Sequence, residues 1–243
     1  MLDPKEAWWH LYGDTTLDAL EQRVATANPT LAGALARYEQ ANAYLAQARS
    51  GLFPHIGLDA TVTRNRQSDN RPLRGANQPD IYSADTLGGD VGYDLDLWGR
   101  VRNSVAAGRA EAEASQDDLA AITLSLESQL AVDYVRLRGQ DRQIGLLTAT
   151  VDDFAKADAM TRRRFEGGII SGVDVGRSGA QLGEAQAQLA DLEAGRALTE
   201  HAIASLVGTP ASNFSIPIAS TGFTIPEIPT GLPSALLQRR PDV

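Results

Sequence analysis

Cysteine is absent from the 243 residues. That removes a disulfide framework, a thiol nucleophile and any cysteine-ligated metal. Lysine is nearly absent: the 22 basic residues are arginines except for Lys5 and Lys156. The net charge is −9, and without clustered cations to neutralise phosphates the chain is not a nucleic-acid binder. Aromatic residues make up 6%. That is few for a thick sandwich core, whereas the abundance of Ala and Leu suits helix-on-helix packing. No run approaches the roughly 20 apolar residues of a transmembrane helix. Met1-Leu2-Asp3-Pro4 is polar and carries no signal-peptide pattern. Gln238 to Val243 reads as a lead-in to further sequence. The expectation is a piece of a longer protein, here without signal peptide or lipidation cysteine.

What is present is periodic. Leu17, Leu20 and Val24 share one side of an amphipathic helix over residues 15–27. Asn28-Pro29 breaks it, and Pro29 suits the first turn of the next helix. That helix runs to about Gly51 with a heptad stripe of Ala34, Tyr38, Ala41, Leu45, Ala48 and Leu52, and ends at Phe53-Pro54. The period then becomes two. Ile56, Leu58, Ala60 and Val62 alternate with polar residues and glycine, and after a polar loop over about 64–80 the alternation resumes at Leu87, Gly89, Val91, Tyr93, Leu95 and Leu97. Two strands of this length and pattern fit a transmembrane β-hairpin; the pattern alone also fits a soluble hairpin with one wet face.

Residues 101–166 contain no proline, and Leu130, Tyr134, Leu137, Ile144, Leu147, Val151 and Phe154 repeat in heptads. Unbroken, this helix spans about 100 Å. Gly167-Gly168 stops it, and Ser171 or Asp174 caps the next helix, which ends near Val207 before Gly208 and Pro210. That last helix carries two seams. Val175, Ser178, Leu182, Ala185, Leu189, Leu192, Arg196, Thr199, Ile203 and Leu206 form a mostly large one; Gly183, Ala187, Ala190, Ala194, Ala197, His201 and Ala204 form a mostly small one. Two seams let a helix pack against a neighbour on each side, as in the wall of a tube, and are also found in soluble bundles. The helices 29–51 and 171–207 measure roughly 34 and 55 Å, so end to end they nearly match the long one.

Specific stretches carry a resemblance: Asn28-Pro29-Thr30-Leu31 with Gln40-Ala41-Asn42-Ala43, Leu52-Phe53-Pro54, Tyr93-Asp94-Leu95-Asp96-Leu97-Trp98-Gly99-Arg100-Val101-Arg102, and Arg164-Phe165-Glu166-Gly167-Gly168-Ile169-Ile170-Ser171 with Asp174-Val175. From Trp8 to Val243 the chain resembles the N-terminal repeat of the outer-membrane factors of tripartite efflux systems, the TolC-like and OprM-like proteins of the NodT-type branch. Arg239-Arg240-Pro241-Asp242-Val243 is similar to the start of that family's second repeat. The resemblance implies a mainly α fold with long coiled-coil helices of α-barrel type and two strands of a transmembrane β-barrel. It implies a trimer, often lipoprotein in this family, located in the bacterial outer membrane with most of the chain in the periplasm. The expected parts are an N-terminal equatorial segment at 1–28, a helix at 29–54, the barrel hairpin at 55–97, a long helical hairpin of the periplasmic tunnel at 98–208, and an equatorial linker at 209–243.

The expected function is a passive exit channel of a tripartite efflux pump for drugs or other small molecules, partnered by a periplasmic adaptor and an inner-membrane pump. The alternatives are a periplasmic adaptor or a soluble coiled-coil binding module. No catalytic residue, cofactor or metal is expected: His10, His55 and His201 lack ligand spacing, and three carboxylates strung along one strand do not gather the 6–8 oxygens of a calcium site. The candidate residues follow from the resemblance. Asp90, Asp94 and Asp96 on one strand face are lumenal acids favouring cations. Tyr93 and Trp98 form an aromatic girdle at the periplasmic interface or pack at a strand–helix junction. Arg64, Arg66, Arg71 and Arg74 lie in the extracellular loop, solvated or meeting lipopolysaccharide phosphates. Gly167, Gly168, Ile170, Ser171, Asp174 and Val175 form the periplasmic tip that meets the adaptor, or an ordinary helical-hairpin turn.

Overall fold

Asn28 ends one helix and begins the next: its backbone N–H donates to the Val24 carbonyl at 3.2 Å. Its side-chain oxygen accepts from the amides of Thr30 and Leu31 at 2.8 and 3.1 Å, while its Nδ2 donates to the Leu206 carbonyl at 2.8 Å. The amide oxygen thus satisfies first-turn donors that a helix cannot pair internally. In this computed structural model, which describes residues 7–68, 70 and 79–219, the elements run α1 (Thr15–Ala27), α2 (Pro29–Ser50), β1 (His55–Arg66), β2 (Ile81–Gly92), α3 (Arg100–Glu166) and α4 (Gly172–Leu206), with 3-10 turns at Trp8–Tyr12 and Ala211–Asn213. The mainly α fold with one β-hairpin is the fold expected from the sequence. Two compact units are present, one of Met1–Gly33 with Ala120–Val243 and one of Ala34–Leu119.

The first unit has its core where α1 meets α3 and the end of α4. Leu17, Leu20 and Val24 pack with Leu130, Tyr134, Leu137, Ile203, Val207 and Ile216. Burying each such apolar side chain contributes about 1.5–3 kcal/mol. The large-residue seam of α4 is buried or half-buried along its whole length. The small-residue seam is open at Gly183, Ala187, Ala190, Ala194 and His201, half-buried at Ala197 and buried at Ala204. One seam is therefore used within this unit and most of the other is not.

The second unit holds most of α2, the hairpin and the first turns of α3. Ala41 and Leu45 pack on Ala112, with Val105 at the margin. The hairpin is antiparallel, with Ile56 opposite Val91, Leu58 opposite Gly89, Ala60 opposite Leu87, and Arg66 opposite Ile81 at the far end.

Candidate functional site

Directly opposed residues of an antiparallel pair share a face, so the register sorts the hairpin into two surfaces. One carries Ile56, Leu58, Ala60 and Val62 with Leu87, Gly89 and Val91. Ile56, Leu58 and Val62 are each at least 80% exposed. An apolar band left this open in the chain marks an interaction surface, for a partner protein or a membrane. The other surface carries His55, Asp59, Thr61 and Thr63 with Thr86, Gly88 and Asp90. Here Gly57 and Gly88 stand opposite Asp90 and Asp59, and any Cβ on either glycine would collide with the facing carboxylate. The glycines let both acids lie across the sheet. His55 Nε2 approaches Asp90 Oδ2 at 3.5 Å.

This register relocates several residues expected elsewhere. Asp94 and Asp96 do not join Asp90 on a strand, because β2 ends at Gly92. Asp94 pairs with Arg100 at 2.7 Å. Asp96 turns to the start of α3 and accepts from the amides of Val101 and Arg102 at 3.1 and 2.9 Å. The Arg102 amide foremost holds the Asp96 carboxyl below its ordinary pKa. Unpaired first-turn amides attract a carboxylate more strongly than an unfilled strand edge does. Asp59 takes the vacated place beside Asp90. The strand alternation contained it, but only the register, with Asp59 opposite Gly88 and Asp90 opposite Gly57, puts the two acids on one face, diagonal to each other across the strands.

Arg64 and Arg66 are likewise in β1, not in the loop, because pairing with Ser83 and Ile81 carries the ladder past the apolar band. Arg71 and Arg74 lie outside the described residues. Tyr93 and Trp98 follow the strand and are 54% and 88% exposed. Trp98 is therefore not packed at the strand–helix junction.

At the other end of the helices, α3 stops in a Schellman arrangement. Ile169 N donates to Arg164 O and Gly168 N to Phe165 O, with Gly168 at φ 71°, a conformation glycine adopts without steric cost. Of the two candidate caps, Ser171 is the N-cap of α4 and Asp174 the third helical residue. Asp174 Oδ2 accepts from the Ser171 amide and hydroxyl at 3.2 and 3.1 Å. Asp174→Ala should cost about 1 kcal/mol of local stability, read as faster amide exchange at Ser171–Val175 with the rest of α4 unchanged. Gly167, Gly168, Ser171 and Asp174 are exposed; Ile170 and Val175 are half-buried. Nearby, an open groove on α3 is lined by Asp152, Lys156, Met160, Arg163, Arg164 and Ile169.

Sequence reading missed the polar ties that join α3 to α4. Asp158 is 6% exposed; it accepts from Arg162 Nε at 2.6 Å and the Ser178 hydroxyl at 2.7 Å, and the arginine foremost lowers its pKa. Further along, Asp141 accepts from Arg196 at 2.6 Å and Arg138 at 3.1 Å. Arg196 also reaches Glu200 at 3.0 Å and the Ile216 carbonyl at 2.7 Å. The one available signal was Arg196 and Ser178 occupying positions of an otherwise apolar seam. Among the described residues no helix is long and apolar enough to cross a membrane, and no three His, Asp or Glu side chains are grouped to hold a metal ion.

Residues 20–209 match the sequence profile of the outer membrane efflux protein family. The chain belongs to that family. Among relatives of this outer membrane efflux family member, multidrug resistance outer membrane protein MdtP of Escherichia coli (strain K12) is 29% identical over 255 residues, covering 99% of this chain and 51% of that protein. Fusaric acid resistance protein FusA of Burkholderia cepacia is 28% identical over 245 residues, covering 99% of this chain and 46% of that protein. The chain thus spans about half the length of the curated relatives it matches. The solved outer-membrane channel OprN superposes with a TM-score of 0.80 at 26% identity, covering 98% of this chain and 53% of that one. The Campylobacter jejuni CmeC outer membrane channel gives 0.84 at 22% identity, covering 97% of this chain and 51% of that one, and speaks for the fold alone.

Proposed function

We propose that this chain is part of a passive exit channel in the bacterial outer membrane, serving efflux of drugs or other small molecules and catalysing no reaction. The observation that carries the reading is the two-faced hairpin. One face is an exposed apolar band and the other is polar with Asp59 and Asp90, which is the alternation a barrel strand needs between lipid and aqueous lumen. Every backbone group inside a bilayer must be paired, so the hairpin closes a barrel with strands from elsewhere. A homotrimer supplies them. The open small-residue seam of α4 packs against a neighbouring helix of the tunnel wall in the periplasm. The turn at Gly167–Val175 and the basic and apolar groove beside it form the periplasmic tip that meets an adaptor protein, with an inner-membrane pump supplying the energy. Tyr93 and Trp98 lie at the periplasmic membrane interface.

The test is conductance of the full-length protein in planar bilayers. Open pores with cation preference are expected, and Asp59→Asn with Asp90→Asn should shift the reversal potential toward zero selectivity, since rings of acids set cation preference. Absence of pores, or selectivity untouched by both substitutions, counts against the hairpin as a channel wall.

A further inference from the structure

The apolar face of the hairpin does not end in neutral side chains. Continuing along β1 on the face of Ile56, Leu58, Ala60 and Val62, the next residues are Arg64 and Arg66, both exposed. Across from them stand Ser83 and Ile81, and Asp85 lies one step nearer the band, opposite Val62. Neither arginine forms an ion pair with another described residue, so Asp85 does not neutralise them there.

We propose that Arg64 and Arg66 form a binding surface for the phosphate groups of lipid headgroups in the leaflet at the loop end of the hairpin. This deepens the channel reading and rests on it. The arginines stand about 6.6 and 13 Å along the strand beyond Val62 at ~3.3 Å per residue. With barrel strands tilted 35–45°, these become roughly 5 and 10 Å along the membrane normal. The polar layer on each side of the hydrocarbon is about 5–7 Å deep, half the difference between total and core thickness. With Val62 at the edge of the hydrocarbon, the Arg64 backbone falls within that layer and that of Arg66 about 3–5 Å outside it, close enough for its long side chain to reach back, both on the lipid face and not the lumen face. A cation held at that level and on that face has a phosphate as its neighbour. The guanidinium offers that phosphate two parallel donors, and the Ser83 hydroxyl is placed opposite Arg64 to add a third. In the outer leaflet of an outer membrane the phosphate bearer is lipid A.

The full-length protein is reconstituted in phosphatidylcholine vesicles doped with diphosphorylated lipid A. It is then re-extracted in mild detergent, and the lipid A retained per protein is weighed by native mass spectrometry. Arg64→Gln with Arg66→Gln should cause a several-fold loss of retained lipid A. Ser83→Asp, which leaves both arginines but sets an acid opposite Arg64, should cause a smaller loss in the same direction. Dephosphorylated lipid A should be retained equally poorly by all three proteins, and inorganic phosphate should not displace the bound lipid. Leu58→Cys, the sole thiol in this chain, reports insertion through protection from a water-soluble maleimide, measured in wild-type and variant backgrounds alike. A labelled thiol in the wild-type background overturns the membrane reading itself. A protected thiol with equal lipid A retention in wild type and both variants, or displacement by inorganic phosphate, overturns the headgroup surface while leaving the channel standing.

Discussion

Arg196→Met is expected to cost the first unit about 3 kcal/mol of stability, because it strands a buried charge. The Asp141 side chain is 0% exposed, and Arg196 Nε is 2.6 Å from its Oδ1. Truncating one partner of a buried ion pair leaves the other charge in a poorly solvating interior, at about 3–5 kcal/mol. Arg138 at 3.1 Å and the Ala219 amide at 3.3 Å still reach Asp141 Oδ2, which holds the loss to the lower end of that range. The same substitution frees the Ile216 carbonyl, to which Arg196 donates at 2.7 Å. The segment Phe214–Ala219 should consequently become open to proteolysis. Urea titration followed by circular dichroism reads the stability, and limited digestion reads the segment. Arg196→Met combined with Asp141→Leu should recover part of the loss, because an apolar pair of similar volume replaces the buried charges. Equal midpoints for wild type and Arg196→Met would show that Asp141 finds solvent in the folded chain.

The second large effect is a dependence on pH. Glu21 lies on α1 at 1% exposure, and neither of its carboxylate oxygens has a hydrogen-bond partner among the described residues. Burial, with the nearby Glu127 adding to it, pushes its pKa from 4.5 up to about 8. Burial also raises that of Glu127. Between pH 4.5 and 8 the folded chain holds a proton on Glu21 that the unfolded chain releases, so stability falls as pH rises through this window and levels off above it. Asp14 and Asp158 act in the opposite sense but at lower pH. Burial alone raises the Asp14 pKa, but the Tyr134 hydroxyl and the Leu17 and Thr16 amides together bring it below its ordinary value, and Asp158 is lowered too. Their windows therefore lie under that of Glu21. Glu21→Gln keeps the shape, cannot ionise, and should be more stable than wild type at pH 8 by about 2–3 kcal/mol, with near equality at pH 4.5. Glu127 retains a shallower slope in the variant. Chemical denaturation at stepped pH values decides it: parallel slopes for wild type and Glu21→Gln would mean that Glu21 is hydrated and ionised in the folded chain.

The sequence on its own determined the periodic parts. Heptad spacing located α2, α3 and α4, because a helix that buries one side must repeat at about 3.6 residues. Asn28-Pro29 and Gly167-Gly168 marked helix ends by backbone chemistry alone, and the Tyr93–Arg102 and Arg164–Ser171 stretches named the family. Tertiary structure decided whatever depends on which residues face each other. Alternation marks two faces but not where pairing stops, so the ladder took Arg64 and Arg66 out of the loop and released Asp94 and Asp96 to Arg100 and the first turn of α3. Asp59 came to share a face with Asp90 for the same reason: which residues stand opposite Gly57 and Gly88 is set by register, which no single strand contains. The buried charges follow the same logic. Arg196 stood in an apolar seam with no sign of a partner, since Asp141 is far away in the chain, and nothing in the spacing of α1 singled out Glu21. Whether a carboxylate is satisfied or stranded depends on the neighbours that packing brings to it, and those neighbours come from other elements of the fold.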